Sequence, residues 1–315
     1  MSSQEKLSIV GSGIMGHSIA LTAAWAGHAV KVWGTNVEDI ERAKTGLESK
    51  LDTLVGYEVF GEDKKRQILK SITFTDSLSD CVQDATFVIE AIPEILELKQ
   101  DYFKQLDDML PESTIIGSNT SGLSATEIAK LTKNPSRCVV THFWLPAHLM
   151  PLVEVVRGEH TSDETAERAM AFLKSLNKKP ILVKKDVLGS VGNRLQYAIF
   201  REAQYILQQD IASMEDIDAA IKYSLGRRFG VTGPFMTMDM GGLNTNASIT
   251  SYLFEDLCDR KDIFPQMKEL VDNGHIGPKT GKGFYEWSPE FTAQMERERE
   301  EELVHWLKKD LETVR

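Results

Sequence analysis

Residues 7–35 constrain this chain more than any other stretch. Leu7-Ser8-Ile9-Val10 is a short apolar run rich in β-branched residues, and it predicts a buried strand. It leads directly into Gly11-Ser12-Gly13-Ile14-Met15-Gly16. Residues 14–26 suit a helix with Ala, Leu and Ile on its inward face, and Gly27 stops it. Ala29-Val30-Lys31-Val32-Trp33 predicts a second strand. In a strand–loop–helix–strand unit each glycine has a physical task. Gly11 permits the tight turn, Gly13 lets the backbone approach a pyrophosphate, and Gly16 lets the helix pack close to the strand. The helix N-terminus offers free amides and a positive dipole end to the phosphates. Gly11, Gly13, Ile14, Met15 and Gly16 are therefore candidate dinucleotide-binding residues.

One part of that fingerprint is missing. The second strand of such a unit usually ends in Asp or Glu, which holds the adenosine ribose hydroxyls. Here Gly34 takes that place, followed by Thr35 and Asn36, with no Arg or Lys beside them to receive a 2′-phosphate. The expectation is NAD, with Thr35 or Asn36 as substitute ribose partner; NADP stays open.

A chain of 315 residues can hold two domains and a sizeable core. Hydrophobic residues make up 42%, which indicates a globular protein. A net charge of −11 argues against a nucleic-acid surface. No apolar run is long enough to span a bilayer, and the polar stretch Ser2 to Lys6 has no signal peptide behind it. Cys81, Cys138 and Cys258 are far apart and follow no metal spacing, so reduced thiols of a cytoplasmic protein are expected.

Beyond the glycine loop, strands alternate with helices. Residues 36–70 read as two charged helices with a break near residues 56–61. Further strands are expected at 72–74, 86–91, 114–116, 138–143, 152–156 and 180–183, with helices at 78–82, 97–110, 124–131 and 163–176. This alternation predicts an α/β doubly wound sheet, whose ligands sit outside the carboxyl ends of its strands. Lys184-Lys185-Asp186-Val187 reads as a linker, and from Val191 the pattern is all-helical. The division expected is 1–187 and 188–315. In the second part, Leu195, Ile199, Ala203 and Ile206 mark one face of a long helix. Ser213 is a plausible cap for a helix beginning at Met214, and residues 243–257 form a further helix. Residues 225–230 and 232–234 look like loops, and Met236, Met238 and Met240 are expected in the core. The charged helix at 291–313 carries a partial apolar stripe, suited to docking on its own chain or to a dimer contact.

Three strand ends carry polar groups. The first is Ala91-Ile92-Pro93-Glu94, with Lys99 in the helix that follows. The second is Ser118-Asn119-Thr120-Ser121, and the third is Thr141-His142-Phe143, with Glu154 on the next strand. Neutral imidazole accepts a proton near neutral pH, and a carboxylate on its other nitrogen fixes the tautomer. Such a pair beside a bound nicotinamide is what alcohol oxidation needs. On the residues alone, a structural histidine and a catalytic one both stay open.

These stretches, together with Pro151-Leu152-Val153-Glu154-Val155, Gly192-Asn193-Arg194-Leu195 and Lys279-Thr280-Gly281-Lys282-Gly283-Phe284-Tyr285, resemble the 3-hydroxyacyl-CoA dehydrogenase family over nearly the whole chain. The resemblance implies a Rossmann-type NAD-binding domain followed by an all-α domain. It implies an oxidoreductase that interconverts an L-3-hydroxyacyl-CoA and its 3-oxoacyl-CoA by hydride transfer. Carried over residue by residue, it makes His142 the general base and Glu154 the group that orients it. Ser121 and Asn193 would bind the substrate oxygen, while Ala91, Glu94, Lys99 and Asn119 would lie on the cofactor side. It also implies a homodimer formed through the second domain, acting on a small molecule.

Two further departures bear on the substrate. The family usually has Asn three residues after the histidine, where this chain has Leu145. Tyr57 stands where short-chain acyl-CoA enzymes have a lysine for the CoA moiety, with Lys64 and Lys65 nearby. Residues 93–99 and 193–199 resemble the lambda-crystallin and L-gulonate 3-dehydrogenase branch, whose members handle free 3-hydroxy acids, as carnitine dehydrogenases of the same superfamily do. A CoA thioester, a free 3-hydroxy acid, and an NAD-binding relative with impaired catalysis are the alternatives.

Overall fold

The computed structural model describes residues 5–313; Ser2, Ser3 and Gln4 of the polar amino-terminal stretch lie outside them. The chain divides into two units, one running to Val191 and resuming at Glu296, the other spanning Gly192–Met295.

The first unit is built on eight strands: β1 (Leu7–Val10), β2 (Val30–Trp33), β3 (Ile72–Thr75), β4 (Phe87–Glu90), β5 (Ile115–Ser118), β6 (Cys138–Phe143), β7 (Leu152–Val156) and β8 (Lys179–Val183). They form one sheet in the order β3-β2-β1-β4-β5-β6-β7-β8. The first six are parallel, β7 runs antiparallel to β6, and β8 is parallel to β7. The helices of this unit are α1 (Ile14–Trp25), α2 (Val37–Gly56), α3 (Glu62–Lys70), α4 (Leu78–Val82), α5 (Leu96–Met109), α6 (Ala125–Ile128) and α7 (Asp163–Ser175).

Strands β1, β4, β5 and β6 are buried at every residue, as central parallel strands must be when helices cover both faces. Side chains alternate between two cores. Leu7, Ile9, Phe87, Ile89 and Ile115 share one core with Leu47, Leu51 and Leu54 of α2, Ile68 of α3 and Phe172 of α7. Val10, Val88 and Ile116 share the other with Cys81 of α4, Phe103 and Leu106 of α5 and Ile128 of α6. The period of two along each strand thus divides the helices into two layers.

The second unit contains α8 (Gly192–Gln208), α9 (Met214–Ala220), α10 (Gly226–Phe229), α11 (Pro234–Gly241), α12 (Leu243–Asp256) and α13 (Pro265–Asp272). Residues 225–229, expected as part of a loop, are helical: the chain passes from α9 through one π turn (Ile221–Leu225) into α10. Gly226 suits that passage, because a Cβ there would sit 3.1 Å from the Ile221 carbonyl oxygen. Met236 and Met240 on α11 are exposed, contrary to the expectation of core. The period of the pattern marks an apolar face but not what covers it.

The last helix, α14 (Pro289–Thr313), belongs to the first unit from Glu296 onward, so the expected boundary of 188–315 does not match the packing. Val304 is buried in the α2 core, and Leu303 and Leu307 pack against it. That apolar stripe docks on the chain's own first unit. Among the described residues, no helix is long and apolar enough to cross a membrane.

Candidate active site

The glycine loop has the form its sequence requires. Gly11 has φ +117°, and a Cβ on it would lie 2.6 Å from the carbonyl oxygen of Ala91, so this position admits only glycine. The same contact brings Ala91 at the end of β4 against the loop. A Cβ on Gly16 would fall 1.8 Å from the Gly11 carbonyl oxygen, which holds α1 close to β1. Gly13 differs: a Cβ there would meet nothing within 4 Å. It faces open space, as close approach of a pyrophosphate needs.

The first turn of α1 also fits an anion. Helices α2, α4, α6 and α7 are capped by the side chains of Asn36, Ser77, Ser124 and Ser162. Helix α1 opens on Gly13 with no side-chain cap from the described residues and no acidic residue in its first turn. Its amides at Ile14, Met15 and Gly16 therefore remain available to phosphate oxygens. The residues present fit a dinucleotide.

The structure also explains the missing strand-end carboxylate. A Cβ on Gly34 would sit 2.7 Å from Ile40 Cγ1 and 2.9 Å from Ser12 Oγ, so the space is already filled. Thr35 and Asn36 are exposed just beyond it. Asn36 Oδ1 accepts from the Asp39 amide at 2.8 Å, which leaves its side-chain amide as the donor available to a ribose. Glu38 in the first turn of α2 adds negative charge to this corner, while Asp39 is paired with the Arg42 guanidinium.

At the carboxyl end of β6, His142 is 5% exposed and lies directly opposite Glu154 in the antiparallel register. His142 Nδ1 is 2.8 Å from Glu154 Oε2. Glu154 is fully buried, and its Oε1 accepts from the Val191 amide at 2.9 Å. A carboxylate accepts from Nδ1–H, so Nε2 is the lone-pair nitrogen of the neutral ring. The Trp144 ring lies 5.5 Å from the imidazole, centroid to centroid.

The loop after His142 is tied to the glycine-loop helix. Ser18 Oγ of α1 is 2.9 Å from His148 Nδ1 and accepts from the His148 amide at 3.2 Å. Thr22 Oγ1 of α1 donates to the Ala147 carbonyl at 3.3 Å. Buried Lys178 donates to the carbonyls of Ala147 and Met150 at 2.5 and 2.9 Å. Burial pushes this ammonium down to about 7 and the His148 imidazole down to about 3.

Ser121 lies in the loop after β5, where its amide donates to Glu94 Oε1 at 3.0 Å. Asn119 Oδ1 accepts from the Phe143 amide at 2.9 Å, joining this loop to the residue after His142. The side chain of Lys99 turns inward at 1% exposure and bonds Glu90, the Ile92 carbonyl and Glu94. Lys99 was expected on the cofactor side; here its ammonium is bonded to these three protein oxygens. Asn193 is the second residue of α8, in the other unit.

Two residues of this region were not singled out from the sequence. Glu90 is a fully buried carboxylate at the end of β4, and a Glu closing an apolar strand ahead of a Lys was the available signal. Asp186, read only as linker, accepts from Ser124 Oγ and from the amides of Ala125 and Thr126, which pins the linker to the first turn of α6.

Residues 6–187 match the family model described as 3-hydroxyacyl-CoA dehydrogenase, NAD binding domain, and residues 189–287 match its C-terminal domain. The chain belongs to the 3-hydroxyacyl-CoA dehydrogenase family. It is similar to 5-formyl-3-hydroxy-2-methylpyridine 4-carboxylate 5-dehydrogenase of Mesorhizobium japonicum, 33% identical over 95% of this chain and 96% of the relative. A crystal structure of a dehydrogenase of that name, described as an NAD+-dependent dismutase, superposes with a TM-score of 0.89 at 31% identity, covering 98% of this chain and 99% of the other. The (S)-3-hydroxybutyryl-CoA dehydrogenase of Ralstonia eutropha superposes with a TM-score of 0.76 at 35% identity, covering 91% and 100%. As a member of this family the chain is an NAD-dependent dehydrogenase.

Proposed function

We propose that this dehydrogenase oxidises the 3-hydroxyl of an L-3-hydroxyacyl-CoA to the 3-oxo compound, and runs the reverse reduction. The observation that carries the reading is the His142–Glu154–Val191 brace, at the carboxyl end of the parallel strands, where the glycine loop also opens. His142 takes the hydroxyl proton on Nε2 as the hydride leaves the substrate carbon. Glu154 stabilises the imidazolium that forms and keeps the ring from turning. Bound NAD supplies the hydride acceptor. Ser121 and Asn193 hydrogen-bond the substrate oxygen, and the capless turn of α1 with Gly13 holds the pyrophosphate.

A second reading, a compact free hydroxy acid, is favoured by α14. This helix lies beyond the residues matched to the family model. The 98% coverage by the pyridine-carboxylate dehydrogenase structure leaves too few residues to exclude it. Leu145 in place of Asn points the same way. NADH oxidation with acetoacetyl-CoA, set against a panel of free 3-oxo acids and 5-formyl-3-hydroxy-2-methylpyridine 4-carboxylate, tests both. Turnover of acetoacetyl-CoA alone supports the first reading, and turnover of a free acid alone replaces it with the second.

We infer also that the second unit pairs with a second copy of the chain. Among the described residues, none in helices α8, α9, α10, α11, α12 or α13 is buried, and Phe235 and Phe254 are 80% and 68% exposed. Apolar surface of this extent is the mark of an interface. The three buried free thiols agree with a reducing cytoplasm.

A further inference from the structure

A buried histidine backs the glycine loop. His17, in the first turn of α1, is 5% exposed, and its Nδ1 lies 3.2 Å from the Ser12 carbonyl oxygen. Its Nε2 lies 3.0 Å from Lys50 Nζ on α2. A carbonyl can only accept and an ammonium can only donate, so Nδ1 carries the proton and Nε2 the lone pair. The ring is uncharged at neutral pH: burial, then the Lys50 charge, hold it below its ordinary value. Helix α2 makes room for it. A Cβ on Gly46 would sit 2.9 Å from His17 Nε2, and Lys50, one turn further on, also donates to the Gly46 carbonyl at 3.4 Å.

We propose that His17 is a positioning residue for the cofactor: its Nδ1–H holds the Ser12 carbonyl inward and so aims the Gly13 amide at the NAD pyrophosphate, while Lys50 fixes the tautomer this requires. This inference rests on the reading of Gly13 as part of the pyrophosphate site. In a trans peptide the C=O and the N–H point to opposite sides. The Ser12 oxygen faces the buried ring, so the Gly13 N–H faces away from it, on the exposed side of the loop. There a Cβ on Gly13 would meet nothing within 4 Å, which leaves the room a diphosphate needs. Were this one peptide to rotate, it would turn a carbonyl oxygen toward the phosphates. Ser12 has glycine on both sides, and the residues that permit the tight turn also permit that rotation. The imidazole restrains it, but only with its proton on Nδ1. With the proton on Nε2, a ring lone pair would face the Ser12 oxygen. The Lys50 ammonium, donating to Nε2, keeps the proton off that nitrogen.

The test measures the NADH Kd by fluorescence titration, with kcat, substrate KM and thermal melting, for His17→Phe, His17→Asn, Lys50→Met and the pair His17→Asn with Lys50→Met. His17→Phe keeps a ring without a donor. Its Kd should rise roughly 10-fold, near the lower bound for a lost hydrogen bond to a charged group, with kcat at saturating NADH within about twofold of wild type. His17→Asn places an amide donor where Nδ1 stood and should bring the Kd back to within about twofold. Lys50→Met should weaken NADH roughly threefold alone and hardly at all beside His17→Asn, whose donor needs no tautomer fixed. Lys50 is only half-buried, so its variant reads the same linkage if His17→Phe fails to fold. An asparagine variant as weak as the phenylalanine one would make the ring a packing piece and overturn the proposal. A lowered melting temperature with an unchanged Kd would overturn it equally. Equal weakening by Lys50→Met in both backgrounds would make Lys50 act on the diphosphate by charge alone and sever it from His17. Failure of the underlying reading shows separately: Gly13→Ala, whose methyl meets no protein atom, would then leave the NADH Kd unchanged.

Discussion

The two units of this chain solve the burial problem differently. The first encloses two complete cores, one on each face of its sheet, and even draws in part of the terminal helix through Val304. The second has amphipathic helices of ordinary length, yet none of its described helical residues from Gly192 to Asp272 is buried. A site that depends on ångström-scale placement of an imidazole needs rigid support, and the self-contained unit supplies it. The second unit leaves Phe235 and Phe254 exposed, and the proposed dimer would cover them.

The contrast can be broken most severely at the base. His142→Ala should lower turnover roughly a thousandfold while NADH still binds, because the glycine loop does not depend on the imidazole. Near-normal turnover with an unchanged pH profile would remove His142 from the chemistry.

Acid should act on the first unit before the second. The His148 imidazole is held down to about 3 by burial first, then by the charges of Lys50, Lys178 and His17, against 6.5 when unfolded. A folded value below the unfolded one means that the unfolded state binds the extra proton between those limits. Stability is therefore intact above about pH 6.5 and lost as pH falls toward 3, by roughly 3–5 kcal/mol at most. Urea unfolding from pH 7 to 4, followed by sheet-specific signals, should show this slope, and His148→Asn should flatten it. An equal slope in both proteins would acquit His148.

For the second unit, Phe254→Asp should shift the particle from dimer to monomer in light scattering at micromolar concentration, an effect of roughly 2 kcal/mol or more. The melting of the first unit should hardly change. A wild-type protein already monomeric at that concentration would show that the second unit needs no second copy to cover it. The smallest effect is expected at the corner of α2, where Asn36→Ala removes a cap worth about 1 kcal/mol. The melt should fall slightly, and the NADH Kd should rise only if Asn36 also meets the ribose.

Every strand of the first unit was legible in the sequence, because runs such as Leu7–Val10 and Cys138–Phe143 are apolar and β-branched whatever surrounds them. The glycine spacing, the strand-end position of His142 and the break between α2 and α3 were legible for the same local reason. Spacing along the chain could not tell that Lys99 points inward, that Asp186 caps α6, or that residues 225–229 are helical. It could not say what lies over the methionines of α11.

The sequence alone determined the order of elements in the first unit, the dinucleotide loop and the identity of the ionisable groups, since these depend on residues close together in the chain. Only the tertiary structure decided that His142 and Glu154 lie directly across from one another, which follows from the reversal of β7 against β6. It alone decided that Gly34 is glycine because Ser12 and Ile40 fill the space beside it. Partners distant in sequence meet only when strands pair and helices pack, and no local preference encodes which partner that is.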